Sequence, residues 1–157
     1  MMSKLARLSA LVVVLGCATA TAALAQGRPP EQIAQSVPVD VPEVVTGGAW
    51  IDGKASGVYR ALVVLSGQKE AASHVFLQWI AVNPSTLVPE IAKTVAVKEV
   101  NDKKLPSAFI TLQADKEGEV ILIVTTIDTK TNKEQTLAFK ATKPGVYQPT
   151  EPPKAPQ

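Results

Sequence analysis

The chain has 157 residues and a formal net charge of +2, and it contains one cysteine and one histidine. One cysteine cannot build a disulfide framework, and one histidine excludes a conventional zinc site made of several histidine and cysteine ligands. The chain has no basic stripe, which argues against nucleic-acid binding. We therefore expect no cofactor and no metal, and a domain stabilised by an ordinary hydrophobic core.

The first 25 residues have the layout of a secretory signal peptide. Lys4 and Arg7 precede an apolar run that is too short to span a bilayer, and the small residues of Ala23-Leu24-Ala25 predict cleavage before Gln26. Loss of the two cations leaves 14 cationic and 14 acidic side chains in the mature chain. We expect a periplasmic or secreted protein of the bacterial envelope.

Cys17 offers a second way to process the same segment. The sequence Val14-Leu15-Gly16-Cys17 resembles the bacterial lipobox, in which the cysteine is lipidated and becomes the new N-terminus. Leu15 is bulkier than the small residue that is usual there, so we favour the cut before Gln26. Under the alternative, the protein is a lipoprotein anchored to the membrane through Cys17.

Prolines mark both ends of the mature chain. Residues 26–43 and 148–157 are predicted to be Pro-rich flanks, the second of them a disordered tail, because proline lacks the donor that a central strand needs. In the first flank Val37, Val39 and Val41 alternate with prolines and an aspartate, which predicts an extended segment with one apolar side over residues 37–45. Such a segment would dock on its own sheet edge, be offered to a partner by strand addition, or act as a disordered spacer.

The central segment, residues 44–147, has the pattern of a β domain. Segments rich in β-branched residues alternate with turn-forming residues, which predicts strands at 48–51, 57–65, 74–82, 93–100, 108–114, 120–128 and 135–142. The fourth of these is ambiguous, because its apolar residues also fit a helical stripe. The close spacing is typical of an antiparallel sandwich or a partly closed barrel, and we favour a single all-β antiparallel β-sandwich, with an immunoglobulin-like arrangement as one option.

Two of the predicted strands are apolar on both faces. The strand at 120–128 should therefore be central in its sheet, with both sides covered. In the strand at 74–82, one face is predicted to be core, and it carries Val75, Leu77, Trp79 and Ala81. The opposite face is apolar enough to need a lid or a partner, and it carries His74, Phe76, Gln78, Ile80 and Val82.

Three single residues invite a chemical interpretation. His74 is the candidate general base of a small envelope hydrolase, but its neighbour Ser73 points to the opposite strand face, and a lone histidine there is more often structural. Trp50 lies beside a predicted turn, where it is either exposed for a carbohydrate or peptide contact or, as we favour, packed over the sandwich end. Arg60 interrupts an apolar strand, and we expect it to form a structural ion pair.

The stretch from "GGAWIDG" through "SGVYRALVV" to "HVFLQWIAV", residues 47–82, resembles small exported bacterial β proteins without an established function. The resemblance implies export and a β fold, and it implies no activity. We expect a non-enzymatic envelope module that binds a protein or peptide through a sheet face or edge. The candidate binding residues are Val37, Val39, Val41, Trp50, His74, Phe76 and Gln78.

Two alternatives to this expectation remain open. One is the hydrolase that uses His74, and the other is a permanent subunit of a larger envelope assembly. Membrane contact is expected only if Cys17 is lipidated.

Overall fold

The computed structural model describes residues 34–67, 71–83, 85–128 and 131–153. The predicted signal segment lies outside the described residues, so cleavage before Gln26 and lipidation of Cys17 stay predictions. The elements follow in the order β1 (Glu43–Asp52), β2 (Ala55–Ser66), β3 (Ala72–Val82), β4 (Pro89–Ala96), α1 (Lys98–Asn101), β5 (Ser107–Ala114), β6 (Val120–Asp128), β7 (Lys133–Ala141) and β8 (Tyr147–Thr150).

The strands form two four-stranded antiparallel sheets, ordered β1-β2-β3-β4 in sheet A and β5-β6-β7-β8 in sheet B. The predicted all-β antiparallel sandwich is confirmed. Each sheet is a meander of consecutive strands, because antiparallel neighbours can be joined by short turns. An immunoglobulin domain mixes strands from both halves of the chain in each sheet, so the strand order here is a different one.

The core lies between the two sheets and follows the period-two pattern of the strands. Val75, Leu77 and Trp79 of β3 are fully buried, which confirms the predicted core face. β6 has a neighbour on each side, as predicted for its doubly apolar sequence. Its core-facing residues are fully buried, and these are Val120, Leu122 and Val124.

Two buried aromatic side chains tie sheet A to sheet B at one end of the sandwich. The rings of Tyr59 and Trp79 have centroids 5.8 Å apart, and Trp79 Nε1 donates a hydrogen bond to the carbonyl oxygen of Thr142 at 3.1 Å. The Tyr59 hydroxyl lies within hydrogen-bonding distance of the same carbonyl and of the carbonyl of Gly118. Burial raises the pKa of Tyr59 to about 12.

Helix α1 carries the chain from the β4 edge of sheet A to β5 in sheet B. The prediction of a strand over 93–100 is wrong from Lys98 onward, because the chain turns there and buries Val100. The Val97 amide still donates to the Val75 carbonyl at 2.9 Å, and the Asn101 side chain also bonds to the Val75 backbone. Its Oδ1 accepts from the Val75 amide at 2.7 Å, and its Nδ2 donates to the Val75 carbonyl at 3.1 Å.

The sandwich extends beyond residues 44–147 at both ends. β1 begins at Glu43 and contains a bulge between Gly47 and Ala49. At the other end, β8 places three residues of the predicted tail in sheet B, with Pro149 opposite Phe139. β8 is an edge strand, where a residue without a backbone donor is tolerated.

Candidate interaction surface

The outer surface of sheet A, which we call face A, is built from rows of side chains that cross all four strands. Directly paired residues of antiparallel strands point to the same side of a sheet, so the strand register aligns them. The central row is polar and contains Thr46, Arg60, Gln78 and Thr94. The two flanking rows contain Val44, Leu62, Phe76 and Ala96 on one side and Ala49, Val58, Ile80 and Ile91 on the other.

Both flanking rows are apolar and only partly covered. Val44 and Ile91 are 50% and 55% exposed, Leu62 and Phe76 are half-buried, and Ile80 is buried. No strand or helix of the described residues packs across face A, since the contacts between the sheets lie on the core side. This surface is the β3 face that the sequence predicts to need a lid or a partner.

The polar row holds Arg60 in the centre of face A. Arg60 Nε donates to Gln78 Oε1 at 2.7 Å, and Gln78 Nε2 donates to Thr94 Oγ1 at 3.1 Å. The ion pair predicted for Arg60 is therefore wrong, because the side chain lies on the outer face and its partner is a neutral amide. The polar row could not be predicted from the strand that contains Arg60 alone, because it depends on the register of four strands.

The rest of the Arg60 guanidinium has no protein partner among the described residues. A guanidinium carries five N–H donors, and the bond from Nε to Gln78 uses one of them. No buried side-chain nitrogen or oxygen of the described residues lacks a partner. The other four donors of Arg60 are therefore accessible to solvent, in the polar row that lies between the two apolar rows of face A.

His74 lies near one end of face A, in register with Val64 of β2. Its Nε2 is 2.7 Å from the Oγ of Ser66. Ser73, by contrast, is buried, and its Oγ donates to the Pro106 carbonyl at 3.1 Å, which confirms that Ser73 and His74 point to opposite faces. The contact between Ser66 and His74 is not among the sequence predictions. Pairing the predicted strands at 57–65 and 74–82 as a hairpin would have indicated it.

Trp50 is placed in the core rather than on the surface. The side chain is 1% exposed, and its Nε1 donates to the Val58 carbonyl at 3.2 Å. This is the packing alternative that the sequence analysis favours. The ring therefore offers no exposed face to a ligand in this structure.

Two of the three valines of the N-terminal flank are exposed. Val37 and Val39 are 54% and 100% exposed, and a hydrogen bond from the Val41 amide to the Pro38 carbonyl at 3.1 Å closes a turn. The extended segment predicted over 37–45 is therefore wrong for its first part, because this turn interrupts it. Its second part does dock on its own sheet, since residues 43–45 begin the edge strand β1 and the Leu65 amide of β2 donates to the Asp40 carbonyl at 2.7 Å. A one-sided apolar strand is not formed by the three valines.

A cleft of about 460 Å³ lies between the two sheets, lined by Leu65, Ser73 and Phe109 among others. The Glu43 carboxylate at this cleft accepts a hydrogen bond from the Ile110 amide at 3.1 Å, so it links β1 to β5. The described residues include no group of three or more histidine, cysteine or acidic side chains placed to hold a metal ion. They also include no helix with the length and apolar character needed to cross a membrane.

No protein family, curated protein or solved structure matches this chain. The resemblance of residues 47–82 to small exported bacterial β proteins stays a prediction.

Proposed function

We propose that this protein is a non-enzymatic interaction module of the bacterial cell envelope, and that face A binds a protein or peptide. The observation that carries the proposal is the exposed apolar area on both sides of the polar row, including half of the Val44 side chain and half of Ile91. Contiguous apolar surface of this kind marks interaction sites on soluble proteins.

The composition of face A supports the same function. Protein interfaces are depleted in charge at their centre but enriched in aromatic residues and arginine, and face A has Phe76 and Arg60 in adjacent rows. The hydrogen bonds through Gln78 hold Arg60 in one orientation before a partner arrives. A surface that is already ordered loses less side-chain entropy on binding.

The outer surface of sheet B, which we call face B, is the weaker candidate. Its β6 residues Ile121 and Ile123 are half-buried, but Lys140 lies beside them. Lys140 Nζ is 2.8 Å from a carboxylate oxygen of Asp115 and 3.2 Å from one of Glu119. A partner on face B would have to desolvate these three charges, which is costly.

Photo-crosslinking in the producing cells tests the choice of face. We would introduce p-benzoylphenylalanine at Val44 or Ile91 on face A, and at the 54% exposed Phe109 on face B as the matched control. All three side chains are about half exposed, so the core is left intact. We expect discrete protein adducts from the two face A positions and none from Phe109. Equal adducts from Phe109, or none from face A, would contradict the proposal.

The Ser66–His74 contact supports a hydrolase as a second candidate function. A serine hydroxyl within hydrogen-bonding distance of a histidine forms the first two members of an acyl-transfer site. Ser66 is exposed, and among the described residues the side-chain hydrogen bond of His74 is to Ser66 rather than to a carboxylate. A fluorophosphonate probe decides the matter: labelling of Ser66 that is lost in His74→Ala would favour the hydrolase.

A permanent subunit of an envelope assembly is the third possibility. Such a subunit has no stable monomer, because its exposed apolar surface is always covered by another chain. Sedimentation of the purified mature protein at micromolar concentration distinguishes the two cases. We expect a folded monomer, as required for a module that exchanges partners.

A further inference from the structure

We infer that the segment bound by face A carries one carboxylate, received by Arg60, between two apolar side chains. This inference rests on the proposed function of face A and names the chemistry of its partner. The partner segment is extended and runs along the strands of sheet A.

The charge on face A requires the carboxylate. Arg60 is the one ionisable side chain in the three rows described above, His74 lies in the next row of face A, and four of the Arg60 donors have no protein partner among the described residues. A partner that covered Arg60 with apolar groups alone would bury an unpaired charge, at a large cost in binding free energy. A carboxylate matches the planar donor geometry of a guanidinium and can accept two parallel hydrogen bonds.

The spacing of the rows sets the spacing in the partner. Neighbouring rows are two residues apart along each strand, a separation of about 7 Å. Alternate residues of an extended segment are separated by the same distance and point to the same side. A segment with the pattern apolar-x-acidic-x-apolar would therefore place its acid over Arg60 and its apolar side chains over the rows of Leu62 and Ile80.

The three rows around Arg60 match the dimensions of one extended segment. Over four strands about 4.8 Å apart, three rows about 7 Å apart span a projected area of about 400 Å². A segment with three side chains at alternate positions covers these rows, whereas a folded domain would also have to cover the neighbouring row that contains His74.

Selection from a displayed library of random heptapeptides on the mature protein tests the inference. We expect enrichment of peptides with one Asp or Glu and with apolar residues two positions before and after it. Enrichment of peptides that lack a fixed acidic position would overturn the inference. A library without enrichment would contradict the proposed function as well.

The affinity of one enriched peptide, measured with its Glu→Gln or Asp→Asn analogue, locates the contact. On the wild-type protein the analogue should bind about tenfold more weakly, because hydrogen bonds to charged groups are the stronger class. On Arg60→Gln the two peptides should differ by less than twofold. The matched control is Lys93→Gln, which removes the same charge from an exposed side chain paired with Trp79 on the opposite side of sheet A. It should keep the tenfold difference.

The pattern of failure separates the two proposals. Val44→Gln places a polar amide on the half-exposed edge of face A, adds no charge that would attract the acidic peptide, and should weaken binding about tenfold. If it does so while the neutral analogue binds as well as the acidic peptide, the inference about Arg60 is wrong and the proposed function stands. If Val44→Gln leaves binding unchanged, the peptide binds elsewhere and both are wrong. Because the decisive change is made in the peptide, the fold of the protein is not at issue.

Discussion

Replacement of Trp79 by alanine tests the register of β3, on which both the core and face A depend. Trp79 is fully buried between the sheets, next to Gln78, which points to face A. A shift of the register by one residue would exchange the two faces of the strand. The stability of Trp79→Ala therefore reports which face is core.

The expected cost can be worked out from the contacts of the side chain. A buried aromatic side chain removes about 150 to 250 Å² from water, and at about 25 cal/mol per Å² this gives roughly 4 to 6 kcal/mol. The lost hydrogen bond to Thr142 adds little, because the Tyr59 hydroxyl still reaches the same carbonyl oxygen. Measured truncations of this kind cost about 3 to 5 kcal/mol, so we expect about 4 kcal/mol.

Urea denaturation of the mature protein measures this cost. In Trp79→Ala the fluorescence of Trp50, which is 1% exposed in the folded state, remains as the probe. A loss of about 4 kcal/mol is a large fraction of the 5 to 15 kcal/mol that stabilises most domains. The matched control is Trp79→Phe, which keeps most of the ring volume and loses the indole donor. We expect it to cost about 1 to 2 kcal/mol.

Coincident unfolding midpoints for Trp79→Ala and the wild type, with equal slopes, would refute the reasoning. The face of β3 that contains Trp79 would then be exposed, and Gln78 would lie in the core. The row that orients Arg60 would not exist in that case, so the same result would remove the structural basis of face A.

Three further predictions concern single positions. A Cβ added at Gly57 would lie 1.8 Å from the carbonyl oxygen of Ile80, so Gly57→Ala should lower the free energy of unfolding in urea by about 1 to 3 kcal/mol. In the control Gly47→Ala the added Cβ makes ordinary contacts at 3.4 Å, so the free energy of unfolding should change by less than about 0.5 kcal/mol. Burial raises the pKa of Tyr59 to about 12, whereas its unfolded pKa is about 10, so its contribution to the free energy of unfolding is complete below pH 10 and is lost as the pH rises toward 12. Tyr59→Phe should therefore lose less stability than the wild type between pH 10 and 12. Equal losses of stability in the two proteins would contradict the raised pKa. The intact mass of the exported protein should begin at Gln26, and a lipidated chain that begins at the upstream cysteine would overturn this.

The faces of β3 and the interior position of β6 could be predicted because both depend on local patterns. Val75, Leu77 and Trp79 recur at the strand period, and the apolar residues of β6 continue on both faces. The end of β4 could not be predicted in the same way. The chain leaves the strand direction after Val97, and the side chain of Asn101, from a different element, then bonds to the backbone of Val75.

The amino-acid sequence alone determined that this protein is an antiparallel β-sandwich and that one face of β3 would be apolar without being core. Alternation along a strand is a property of neighbouring residues, so it can be read before any strand is paired. The tertiary structure decided which side chains meet across the strands, because the register is set by pairing between distant segments. The alignment of Arg60 with Gln78 and Thr94, and the contact of Ser66 with His74, depend on that register.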